Sequence, residues 1–90
     1  MAWSDAARAA ALAARQAHAR TGKRYKVEVY VKQPAKGGLY YARIIDKDYR
    51  GGPMTIWARK TGGTGSRDAN YRQSMAVGIK QLRKMTMGKK

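Results

Sequence analysis

Three short stretches of this 90-residue chain hold residue types that could do chemistry. Asp46-Lys47-Asp48 sets two carboxylates two positions apart, a spacing that could recruit Mg²⁺ for phosphodiester cleavage. Aspartates bounding a turn before "YRGGP" are the commoner use of such a pair. A nuclease would also need more carboxylates than five Asp and Glu readily gather. His18, the single histidine, stands in an Ala/Arg-rich stretch with no acid beside it and reads as a surface residue. "TGGTGSRD", residues 61–68, is a glycine-rich turn feeding a helix start. Its backbone N–H groups could hold an anion with Arg67 beside them, or Ser66 could simply cap the helix. The GK[ST] ending of a P-loop is absent. The expectation is no enzyme, with no catalytic residue, no metal ligand and no cofactor.

Binding chemistry is better supplied. Residues 30–60, "YVKQPAKGGLYYARIIDKDYRGGPMTIWARK", interleave tyrosines and a tryptophan with Lys and Arg. Twenty Lys and Arg stand against five acids, a formal net charge of +15. Such self-repulsion costs stability, and a chain that carries it is expected to meet a polyanion. Nucleic acid is the first expectation, DNA ahead of RNA, and an anionic membrane is a distant second. No apolar run approaches the roughly 20 residues needed to span a bilayer, so no membrane partner is expected. The chain has no cysteine, which removes disulfides and thiolate metal sites and permits a reducing compartment. With no signal-peptide pattern at the start, the expected location is the cytoplasm.

The elements that must position these groups form one small basic domain over residues 1–90. "SDAARAAALAARQAHARTG" reads as a helix, with Ser4 as cap, Asp5 at the positive end of the dipole and Gly22 at the C-terminal cap. "RYKVEVYVK", "LYYARIID" and "MTIWARK" switch to period 2 and read as strands. "QPAKGG" and "KDYRGGP" are short turn-rich links, so an antiparallel meander is expected. A second helix follows over residues 67–85, and residues 86–90 are expected as a flexible basic tail. The order is α-β-β-β-α, an α+β fold with a three-stranded antiparallel meander and two helices packed on one face.

Period 2 assigns the faces. Tyr25, Val27, Val29 and Val31 share the inner side of the first strand, and Tyr40, Ala42 and Ile44 that of the second. In the third, Met54, Ile56 and Ala58 alternate with Thr55, Trp57 and Arg59. One open face would then present Lys26, Tyr30, Lys32, Tyr41, Arg43, Trp57 and Arg59. Rings that stack on bases, framed by cations that hold phosphates, meet the needs of a single-strand platform; an exposed sheet also fits a duplex major groove. The competing reading packs Trp57 and Tyr41 under a loop or within a homodimer. In the second helix, Tyr71, Met75, Gly78, Ile79, Leu82 and Met85 make an apolar seam. Ala7, Ala10, Ala14 and Ala17 of the first helix would face it, with Gly78 at a close helix crossing. Arg72, Lys80, Arg83 and Lys84 continue the positive surface on the other side, and Arg67 opens it.

The element order, with "GTGSRDANYRQSMAVGIKQL" opening the last helix, resembles a double-stranded-RNA-binding domain, whose basic helix start spans phosphates. That resemblance implies phosphate contact by Ser66 and Arg67. Asp68 stands where the family has lysine, and "QPAKGG" replaces its Gly-Pro-x-His loop. "MAWSDAARAAALAAR" is similar to the starts of short basic bacteriophage proteins, which implies a viral accessory role in the host cytoplasm. Two functions follow as expectations. One is nucleic-acid binding with low sequence specificity, through the sheet face and the basic helix surfaces. The other is a phage-type accessory protein that binds and modulates an acidic host or virion protein.

Overall fold

Alanine propensity and one glycine define the first helix. In the computed structural model, which describes residues 3–62 and 65–87 with the Trp3 side chain excepted, α1 spans Trp3–Thr21. It stops where Gly22 turns left-handed at φ 76° and donates its N–H to the His18 carbonyl at 2.8 Å, as a helix C-terminus favours. Ser4 lies inside the helix rather than at its cap. The strands β1 (Tyr25–Lys32), β2 (Leu39–Asp46) and β3 (Met54–Gly62) follow, joined by single 3₁₀ turns at Pro34–Lys36 and Tyr49–Gly51. They form an antiparallel sheet in the order β1-β2-β3. The helix α2 spans Arg67–Thr86, opened by Ser66, whose hydroxyl accepts the Ala69 N–H. The α-β-β-β-α order and the α+β class are those the sequence implies.

Register sorts the sheet into rows. The rows Val27–Ile44–Trp57 and Val29–Ala42–Arg59 face the helices, and Glu28–Arg43–Ala58 and Tyr30–Tyr41–Lys60 face away. β1 pairs with β2 without interruption, but β3 slips twice, between the partners of Ile44 and Ile45 and between those of Tyr40 and Tyr41. Each slip leaves one β3 residue, Ile56 or Thr61, without a partner on β2. An extra residue resets the period-2 parity of everything after it.

The core lies between the helices and the inner rows: Ala6, Ala10, Ala13 and Ala17 against Val27, Ile44, Met75, Ile79 and Leu82. The inner stripe of α1 is therefore offset from the expected one: Ala10 and Ala17 belong to it, while Ala7 and Ala14 are half-buried at its border. Both helices lie on one side and run the same way. Ala6 and Ala9 stand beside Arg72 and Ala76 at one end; at the other, Arg20 donates to the Thr86 carbonyl and hydroxyl, each at 3.1 Å.

Three further expectations need correction. Met85 does not join the apolar seam; it is 40% exposed, and Thr86 takes the buried position. Gly78 serves the sheet rather than a helix crossing, because a Cβ there would stand 2.6 Å from Val27 Cγ1 and 3.6 Å from Ala42 Cβ. Of the expected tail, Thr86 belongs to α2 and Met87 caps it through an N–H to the Arg83 carbonyl. Residues 88–90 lie outside the described residues.

Candidate nucleic-acid interface

With both helices on one side, the other side of the sheet is left open. Its rows run Lys26–Ile45–Thr55, Glu28–Arg43–Ala58, Tyr30–Tyr41–Lys60 and Lys32–Leu39. The register thus brings together Lys26, Tyr30, Lys32, Tyr41 and Arg43, five of the residues that alternation placed on one face. Tyr30 and Tyr41 are direct cross-strand partners, with ring centroids 6.2 Å apart and planes tilted by 52°. Arg43 packs its guanidinium over the Tyr30 ring, 4.9 Å from the centroid, a contact in which cation and quadrupole attract. Tyr30, Lys32, Tyr41, Arg43, Thr55 and Ala58 line a shallow dish of about 410 Å³.

Trp57 and Arg59 are not on this face, which corrects their assignment as open-face binding groups. The bulge at Ile56 shifts the parity, so Trp57 pairs with Ile44 and packs against the core, and Arg59 pairs with Ala42. Arg59 instead holds its guanidinium 5.6 Å from the Trp57 ring centre on the helix side of the β3 edge. Ile56, expected inside, is 37% exposed. The same shift moves Ala58 outward and brings Lys60 to the open face beside Tyr41. Strict alternation misses Lys60, and nothing in "MTIWARK" marks the bulge.

The electrostatics of the dish turn on one acid. Glu28 faces Arg43 across the strands, with Oε2 3.4 Å from Nη2, and its Oε1 is 3.9 Å from the Lys26 ammonium. It is the sole carboxylate in the four rows, against Lys26, Lys32, Arg43 and Lys60. Arg43 is held in place by Glu28 and Tyr30, yet its Nε meets no acceptor among the described residues.

The basic residues of α2 stand elsewhere. Arg67 is exposed at the helix start. Arg72, Lys80 and Arg83 border a second groove of about 410 Å³ between the helices, floored by Ala6, Ala9, Met75, Ala76 and Ile79. Lys84 is exposed near the helix end. These five lie in the helix layer and do not share a site with the dish.

Two N–H groups at the start of α2, those of Gly65 and Ala69, are engaged by the protein's own side chains. Asn70 accepts the Gly65 N–H and donates to the Gly65 carbonyl, both at 3.1 Å, and Ser66 accepts the Ala69 N–H. Gly63 and Thr64 lie outside the described residues. The aspartate pair is likewise engaged within the protein. Asp46 is buried and accepts the Asp48 N–H at 3.0 Å, closing the turn. Asp48 accepts two hydrogen bonds from Arg24, at 2.9 and 2.6 Å, which lower its pKa and raise that of Arg24. His18 is exposed. No group of three or more His, Asp or Glu able to hold a metal ion occurs among the described residues.

No described helix is long and apolar enough to cross a membrane. No protein-family model, no curated protein and no solved structure matches this chain.

Proposed function

We propose that this protein binds nucleic acid with low sequence specificity and that the open sheet face is its principal interface. The observation that carries this reading is the Tyr30–Tyr41 pair, set on a helix-free face among four cations and one acid. Tyrosine rings offer π-faces that accept any base, and lysine and arginine hold phosphates without regard to sequence. No Asn or Gln, the side chains suited to reading adenine edges, stands in the four rows. The whole-chain charge of +15 acts over a longer range and draws a polyanion toward the face.

The test is a titration with matched single- and double-stranded DNA and RNA at several salt concentrations. Four phosphates neutralised on the sheet face give a log–log salt slope of about −3 to −4, steeper if the helix layer joins in. Tyr41→Ala is expected to weaken single-strand binding by about 1–3 kcal/mol, the value of one base stack. A slope near zero for every polymer would overturn the reading.

A further inference from the structure

We propose that one molecule holds two DNA duplex segments at once, one on the open sheet face and one across the outer surface of the helices. The inference rests on the nucleic-acid reading above and adds a second activity, bridging.

Exposed cations stand on both sides of the core as well as at its ends. The acids of the two helices are Asp5 and Asp68, each in the first turn of its helix. Beyond those turns the helices carry no carboxylate. Arg15 of α1 and Lys80, Arg83 and Lys84 of α2 are exposed there. The sheet face, with Lys26, Lys32, Arg43 and Lys60, lies on the far side of the core. A protein that met its polyanion on one side only would keep the repulsion of the other side uncompensated. Two positive faces around a neutral core are relieved when each meets its own run of phosphates.

Stiffness decides whether one duplex could serve both faces. The domain is 24 Å thick along its shortest axis. Duplex DNA has a persistence length of about 500 Å, roughly twenty times that thickness. Folding a duplex back around so thin a body would cost far more than a handful of phosphate contacts return. The two faces are therefore reached by separate segments, and the protein draws them together.

The experiment uses the full chain, magnetic beads carrying one 60-base-pair DNA duplex, and a fluorescent second duplex of unrelated sequence in solution. The parent protein is expected to retain the fluorescent duplex on the beads, in proportion to the protein bound. A helix-layer variant, Arg15→Gln with Lys80→Gln, Arg83→Gln and Lys84→Gln, should still bind the bead duplex, within about tenfold of the parent. It should lose at least four-fifths of the captured second duplex. A sheet-face variant, Lys26→Gln with Lys32→Gln and Lys60→Gln, removes cations of the principal interface and should bind the bead duplex more weakly. At protein loading matched to the parent it too should lose at least four-fifths of the captured second duplex. All seven positions are exposed, and melting of each variant confirms that it folds. Capture undiminished in either variant, at equal protein on the beads, would overturn the proposal, because it would show one face of a self-associated protein or unspecific charge to be enough. Parent protein that binds the bead duplex but captures no second one would also overturn it, leaving the single-face reading intact. Absence of binding to any nucleic acid would remove both.

Discussion

Gly78 of α2 lies directly over Val27 of β1, so close that an added Cβ would stand 2.6 Å from Val27 Cγ1. Gly78→Ala gains about 1 kcal/mol of helix propensity and meets an overpacking cost of about 1–3 kcal/mol. The expected outcome in a denaturant melt is a net loss of up to about 2 kcal/mol. Trimming the neighbour as well, with Val27→Ala, should recover part of it, and the double-mutant cycle measures the coupling. Stabilisation by Gly78→Ala alone would mean that α2 rides higher above the sheet.

Trp57 and Ile56 exchange the roles that simple alternation gives them. Trp57 packs on the core beside Ile44, while Ile56 is 37% exposed at the bulge. Trp57→Ala should cost about 2–4 kcal/mol of stability, a discount on full aromatic burial. Ile56→Ala should cost less than about 1 kcal/mol, as surface changes do. Thermal melts of the two variants check the order; the reverse order would place the bulge elsewhere.

Glu28 restrains two cations of the open face, Arg43 and Lys26. Glu28→Gln frees both and removes a repelled charge. The expected result is tighter nucleic-acid binding, by about two- to fivefold at low salt, and a salt slope steeper by about one. Because the three side chains are partly exposed, the cost in folding should stay below about 1 kcal/mol. Fluorescence anisotropy against one oligonucleotide at several salt concentrations reads both quantities.

Asp48 gives the fold an acid-sensitive contact. The hydrogen bonds from Arg24 lead the causes that hold its carboxyl below the usual carboxylate range. A folded-state pKa below the unfolded value stabilises the protein at pH above about 4. That contribution fades as pH falls through the lowered folded value. Asp48→Asn should therefore melt earlier than the parent near neutrality, and the two should converge in strong acid. A gap that persists unchanged at low pH would assign the effect to the turn rather than to the ion pair.

The fold was legible because each element advertises itself by a separate device. Alanine run and Gly22 mark α1, period-2 residues mark the strands, and Ser66 marks the start of α2. β2 was readable for a further reason: assigning Arg43 outward fixed Tyr40, Ala42 and Ile44 inward, where they are buried. β3 was not. Its slip at Ile56 is set by how the ladder to β2 closes, a long-range matter that no local pattern encodes. That one residue removed Trp57 and Arg59 from the candidate site and brought Lys60 to it. The phase of α1 was hidden too, since alanines occupy both its inner and its bordering positions and give the eye no contrast.

The contact between Arg20 of α1 and Thr86 of α2 ties together residues that are 66 positions apart in the chain. It carries a consequence for the order of events during synthesis. The inner stripe of α1 finds its partners Met75, Ile79 and Leu82 only in α2. At about 5–20 residues per second, α1 and the sheet wait several seconds before the second helix that completes their core exists. Throughout that interval α1 can cover only part of the sheet's apolar underside, at β1, and the core closes when α2 arrives.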